Sequence, residues 1–125
     1  DAARTAALCG ADLDLYSGND DQIVPILSLG GKGVISVLSN IMPEQTHDIC
    51  ARFLAGDVAG SRQLQLELLD LIDGLFCEVN PIPVKAAMNM MGFDVGECRM
   101  PLAPMSAPDE ESLRRLLEKH HLLTK

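Results

Sequence analysis

Apolar positions change their period along the front of the chain. Leu13 and Leu15 alternate with Asp12 and Asp14 ahead of Tyr16, the period-two pattern of a strand. Ser17-Gly18-Asn19-Asp20-Asp21 then breaks the pattern with residues that cap helices, so a helix is predicted next, with these side chains at its start. Ile23, Val24, Ile26, Leu27 and Leu29 recur at helical spacing as far as Gly30-Gly31, where glycine can adopt the left-handed conformation that ends a helix. Residues 33–38 form a compact, β-branched apolar run, as expected of a strand covered on both faces in a parallel sheet. About 20 residues and one helix separate the two strands, which predicts a βαβ unit with a right-handed crossover.

Beyond residue 38 the pattern is helical. Ser39 or Asn40 is placed to cap a helix that carries Pro43 and Glu44 in its first turn and runs through Ile49 and Phe53 to Gly56. Leu64, Leu68, Leu71, Ile72 and Leu75 draw an apolar stripe along residues 58–76, the longest helix predicted. Pro81 and Pro83 interrupt, residues 84–91 read as a short helix closed by Gly92, and residues 93–104 as an irregular connection. Ser106-Ala107-Pro108-Asp109 resembles a capping box that opens a last helix with Leu113, Leu116 and Leu117 inward and Lys119, His120 and His121 at its negative end. Two parallel strands leave an unpaired edge on each side, and parallel sheets are ordinarily larger and buried on both faces. Strands from other polypeptide, upstream or on a partner, are therefore expected to complete the sheet, and the absence of an initial methionine fits that expectation.

Composition narrows the function classes. Hydrophobic residues make up 47% and charged residues 22% of the 125, without long blocks of like charge, so the chain has the means to fold. A net charge of -8, with ten scattered basic residues, argues against nucleic acid and anionic membrane surfaces as partners. No apolar run approaches the roughly 20 residues that span a bilayer, and the first residues lack the basic and apolar regions of a leader, so a cytoplasmic location is expected. Cys9, Cys50, Cys77 and Cys98 contain no CxxC pair and are read as buried free thiols in a reducing compartment. His47, His120 and His121 fall on helices, facing solvent or at an end, without metal-ligand or triad spacing; no cofactor and no metal is expected. Gly30-Gly31-Lys32-Gly33 follows a helix and precedes a strand, the reverse of a phosphate-binding loop. Met88 to Met91 are read as adaptable core filling.

Three segments carry more than periodicity. Leu15-Tyr16-Ser17-Gly18-Asn19-Asp20, Gly30-Gly31-Lys32-Gly33-Val34-Ile35-Ser36-Val37 with Asn40, and Asn80-Pro81-Ile82-Pro83-Val84-Lys85 resemble successive motifs of the dihydrodipicolinate synthases, in the same order and spacing. Arg99-Met100-Pro101-Leu102 with Pro104-Met105 and the closing Leu-rich helix is similar to the family's C-terminus, so the resemblance covers nearly the whole chain. It implies an α/β fold: residues 1–56 as strands 7 and 8, with their helices, of a (β/α)8 TIM barrel, and residues 57–125 as a C-terminal helical domain.

The same resemblance implies a lyase that condenses pyruvate with aspartate semialdehyde, through a Schiff base on lysine, in the synthesis of lysine by way of diaminopimelate. Barrel enzymes build their sites at the carboxyl ends of the strands, and there Gly18 and Ile35 are the implied substrate-binding residues. Gly18 would let the chain approach pyruvate closely, and Ile35 would offer main-chain polar groups and an apolar wall. Taken without the family, the two residues read as a turn glycine and a core isoleucine. Asn19, Asp20 and Asp21 lie at the same end, either capping the next helix or shaping entry of the aldehyde.

The family's lysine and its tyrosine and threonine relay belong to earlier strands. Lys32, Lys85, Lys119 and Lys125 occupy a helix-to-strand turn, a loop-to-helix junction and the final helix, so no catalytic residue is assigned here. The implied partners are the upstream barrel polypeptide and further copies in a homotetramer, with the helix that ends at Leu29 in a subunit contact. Two alternatives stand beside this reading: another pyruvate aldolase of the superfamily, acting on sialic acid or keto-deoxy sugars, and a non-catalytic helical module with an acidic surface.

Overall fold

A computed structural model describes residues 1–123, which divide into two compact units, Asp1–Glu67 and a second that begins at Leu68. Within the first, α1 (Ala2–Cys9) leads through a 3-10 turn to β1 (Tyr16–Ser17), α2 (Ile23–Ser28), β2 (Gly33–Val34), α3 (Pro43–Leu54) and α4 (Val58–Glu67). Its two strands pair in parallel, Tyr16 against Gly33 and Ser17 against Val34. Lys32 N–H donates to Leu15 O and Ile35 N–H to Ser17 O, both at 2.8 Å, so the ladder continues one step beyond each end of β2.

Helix α2 stops where glycine was expected to stop it. Gly30 takes a φ of 91°, its N–H donates to Leu27 O and the Gly31 N–H to Ile26 O, both at 3.0 Å, closing the last turn in a Schellman motif. Lys32 then enters the ladder directly. The core of this unit is Ile23 and Leu27 of α2, Leu38, Ile41 and Met42 of the connection after β2, and Ile49 of α3. Buried polar groups lock the helices: Ser61 Oγ donates to Ile49 O at 2.6 Å, and Gln65 accepts from Val24 N–H and donates to Asp21 O, each at 2.7 Å. Gln65 thus takes on the start of α2, which no side chain of α2's own first turn caps.

Several sequence expectations are corrected here. Helix α1 was not foreseen, although Ala2, Ala3, Ala6, Ala7 and Leu8 are strong helix formers. The strands are shorter than the apolar runs: β1 does not include Leu13, and β2 ends at Val34, with Leu38 in a 3-10 turn (Leu38–Asn40). Strand length depends on a neighbour to bond with, and each strand here has only the other. Ser39 and Asn40 belong to that turn and leave the N-cap of α3 to Met42; Ser36 Oγ accepts from Ser39 N–H at 2.9 Å instead. The predicted helix over residues 58–76 is interrupted at Leu68 (φ -96°, ψ 0°), so the longest helix among the described residues is the last one.

The second unit contains α5 (Leu69–Leu75), α6 (Ile82–Met90) and α7 (Ala107–Lys119). Its core joins Leu71, Ile72 and Leu75 of α5, Ile82, Val84 and Ala87 of α6, and Leu113 and Leu117 of α7. Ser106 caps α7 as its sequence predicts, accepting from Asp109 N–H at 3.4 Å, and residues 93–104 form the irregular connection. Lys85 lies inside α6 and not ahead of it, donating to Glu97 O at 2.7 Å. Met88, Met90 and Met91 are only half-buried. Cys77 is exposed in the bend after α5 and the other three cysteines are half-buried, so the expectation of buried thiols is not met; burial raises Cys50, and burial with the Asp109 and Glu78 charges raises Cys77. Lys125 lies outside the described residues.

His120 was expected to face solvent or the helix dipole. It is turned inward, Nε2 donating to Asp70 Oδ1 at 2.9 Å, while Lys119 Nζ donates to Asp70 Oδ2 at 2.6 Å. Burial pushes the Asp70 carboxyl up, but the hydrogen bonds from Lys119 and His120, the charge of protonated His120 and the Leu71 N–H outweigh it and hold the group below its ordinary 3.8. Folded Asp70 therefore binds its proton less readily than unfolded Asp70. Its contribution to stability is full above the ordinary carboxylate value and is lost as pH falls through the lowered one. Asp70→Asn should accordingly show its largest deficit in urea midpoint near neutral pH, narrowing as the solution is acidified below about pH 4. A deficit that widens toward acid would contradict this pairing.

Candidate functional site

The site is built on the carboxyl ends of the two strands. Gly18 follows β1, Ile35 follows β2, and one further step of the observed register sets them side by side. The structure thus brings together the two residues singled out from sequence. Both are exposed: a Cβ added at Gly18 would meet nothing within 4 Å, and Ile35 is 72% exposed. Ile35 is consequently not a core residue of this chain, as a reading without the family would have it. Leu13 (46% exposed) and Tyr16 (53%) leave further apolar surface on the neighbouring strand.

Asp20 ties the ends of the two strands together. The carboxylate is 1% exposed, and its Oδ2 accepts from both Val37 N–H and Leu38 N–H at 3.0 Å. These are the first amides of the 3-10 turn after β2, which have no partner within the turn itself. Asp20 does cap a helical turn, but across the sheet and not in its own segment, where the sequence reading had placed it. Asn19 makes no side-chain cap at the turn Asp20–Gln22, and Ser17 Oγ, buried beneath the strand, donates to Asn19 O at 2.7 Å. The signal that could have exposed Asp20 is weak, because its partners stand 17 and 18 residues along the chain.

Other candidates lie elsewhere. Lys32 and the glycines at 30 and 31 sit at the amino ends of the strands, where a cavity of about 340 Å³ is lined by Leu13, Asp14, Leu29, Gly30 and Lys32. That is the end away from Gly18 and Ile35. His47 is exposed on α3, beside Asp48 at 3.4 Å. Among the described residues no three His, Cys, Asp or Glu side chains converge as metal ligands, and no helix is long and apolar enough to cross a membrane.

Comparison with known proteins identifies the family. Residues 2–120 match the model of the dihydrodipicolinate synthetase family. The chain is similar to the 4-hydroxy-tetrahydrodipicolinate synthases of Caldicellulosiruptor bescii, 57% identical over 98% of this chain and 41% of that protein, and Caldicellulosiruptor saccharolyticus, 60% identical over 92% of this chain and 39% of that protein. Among solved structures it superposes on dihydrodipicolinate synthase from Thermotoga maritima with a TM-score of 0.93 and 43% identity, and on that from Aquifex aeolicus with 0.94 and 39%, covering 98% and 99% of this chain and 42% of each of those. The chain therefore spans about two-fifths of the length of the relatives it matches. With a family match over nearly all its residues, this chain belongs to the dihydrodipicolinate synthetase family.

Proposed function

We propose that this chain is the C-terminal portion of a pyruvate-dependent lyase that condenses pyruvate with aspartate semialdehyde, and that it contributes the wall of the pyruvate pocket and not the catalytic lysine. Residues 1–56 serve as the last two β/α units of a TIM barrel and residues 57–125 as a C-terminal helical domain. Gly18 admits pyruvate close to the backbone, and Ile35 stands beside it with its side chain available to close one face of the pocket. The lysine comes from an upstream strand: its amine adds to the keto carbon, and water leaves as the C=N bond forms. Loss of a methyl proton then gives an enamine whose carbon attacks the aldehyde. Further copies of the chain assemble as a homotetramer in the cytoplasm, and no cofactor is needed, because the imine itself is the electron sink.

One observation carries this reading. Two parallel strands, paired only with each other, hold Gly18 and Ile35 level at their carboxyl ends. Such a pair is a segment of a larger sheet, and the relatives are long enough to provide the rest. The synthase is favoured over other pyruvate aldolases by relatives of that name at 53–60% identity.

Borohydride reduction in the presence of labelled pyruvate tests the division of labour. The isolated chain should retain no label. A parent of about 300 residues, the length implied when 123 aligned residues make up 41% of the Caldicellulosiruptor bescii protein, should retain one label per chain. Labelling of the isolated chain, or an unlabelled parent, would overturn the proposal.

A further inference from the structure

We propose that Asp20 is a positioning residue for pyruvate: through Oδ2 it fixes the segment carrying Ile35 against the segment carrying Gly18. The inference rests on the functional reading above and adds to it a residue that touches no substrate.

The geometry is a clamp closed at both ends. Ser17, immediately before Gly18, accepts from Ile35 N–H at 2.8 Å. Asp20, two residues after Gly18, accepts from Val37 N–H and Leu38 N–H at 3.0 Å. Gly18 with Asn19 on one side, and Ile35 with Ser36 on the other, are therefore bracketed by bonds that cross between the two strands' ends. Pyruvate contacts at Gly18 and Ile35 depend on the separation of two backbones, and a single carboxylate oxygen sets that separation beyond the last ladder bond. Sites that hold such geometry before the ligand arrives bind more tightly than sites that must acquire it.

The second carboxylate oxygen marks the position as unusual. Oδ1 is buried and has no hydrogen-bond partner among the described residues. Asp20 is also the only buried acidic side chain among them. A buried carboxylate oxygen is ordinarily matched by a donor. Oδ1 is covered by the chain's own atoms, so leaving it unmatched is a cost the fold bears while Oδ2 holds the two amides, and such a cost is expected at a functional position.

Asp20→Asn in the full-length parent separates this role from simple stabilisation. The asparagine oxygen can keep the two amides of Val37 and Leu38, but as a neutral acceptor it holds them more weakly than the carboxylate does. The pyruvate KM should rise about tenfold with kcat within about threefold of wild type, and saturating pyruvate should still be trapped on every chain by borohydride. A merely structural role would lower the thermal midpoint and the trappable fraction and leave the KM of the remaining enzyme unchanged. That result, or a KM within about twofold of wild type, overturns the proposal.

Should the variant fail to fold, hydrogen exchange on the wild-type parent decides. The amides of Val37 and Leu38 should be protected before pyruvate is added; rapid exchange that slows only with pyruvate present would show that Asp20 does not hold the turn in advance. A wild-type parent that traps no pyruvate overturns the functional reading itself, and that is seen before any variant is measured.

Discussion

Leu117→Ala should lower the unfolding free energy of the chain by about 3 kcal/mol, with a fall in thermal midpoint on the order of 10 °C. Leu117 is fully buried on α7, in the cluster formed by Leu71, Ile72 and Leu75 of α5 and Leu113 of its own helix. Truncation removes the transfer free energy of the lost carbons and also leaves a void that packed helices collapse only in part. Elsewhere on the chain the same deletion should behave differently. Leu8 on α1 is 80% exposed, so Leu8→Ala removes little apolar surface from a covered site and trades leucine for an equally good helix former. Its effect in the isolated chain should stay within about 0.5 kcal/mol. Urea titration of both variants checks the pair, and a Leu117→Ala loss below about 1 kcal/mol would mean that α5 and α7 do not pack as described.

The contrast between these two leucines tracks how much of the molecule its sequence makes legible. Helix α7 is written locally: Ser106 three residues before Asp109, then Leu113 and Leu117 one turn apart, so cap and buried face can be read within a window of a dozen residues. The end of α2 is local too, because Gly30 and Gly31 answer to carbonyls three and five residues back. Strand limits are not local. Ile35, Val37 and Leu38 look alike as apolar residues, yet Ile35 lies exposed at the sheet's end and Leu38 is buried in a turn. Only the partner across the sheet separates them. Asp20 shows the same limit at the site: its neighbours in sequence suggest a helix cap, while its hydrogen bonds reach 17 and 18 residues away. Gly18 and Ile35 were found through the family motifs, since one turn glycine and one isoleucine carry no chemistry of their own. Helix α1 was overlooked in spite of a readable signal, because its alanines present no apolar period and bury nothing.

Gly31→Ala should destabilise the chain more than Gly30→Ala, the opposite of what the backbone angles alone suggest. Gly30 has the left-handed φ of 91°, and alanine there costs roughly 1–2 kcal/mol in backbone strain, but a Cβ would meet nothing within 4 Å. Gly31 has no positive φ, yet a Cβ on it would lie 2.7 Å from Ile26 O, 2.9 Å from Ile26 C and 2.7 Å from Ile26 Cγ2. The side-chain carbon can rotate away; the carbonyl cannot, because it accepts the Gly31 N–H at 3.0 Å that closes α2. Relieving the clash therefore opens the Schellman turn, and the added cost of forcing a carbon into a packed site, about 1–3 kcal/mol, joins that of the lost bond. The damage also travels forward. Lys32 N–H bonds Leu15 O immediately after Gly31, so a shifted turn displaces the first rung of the strand pair and, through the register, the placement of Ile35 beside Gly18. In the full-length parent, Gly31→Ala should accordingly weaken pyruvate binding as well as lower the thermal midpoint, whereas Gly30→Ala should lower the midpoint with pyruvate KM unchanged. If Gly30→Ala proves the more damaging in both measurements, the Ile26 carbonyl is not the constraint that ties the end of α2 to the start of β2.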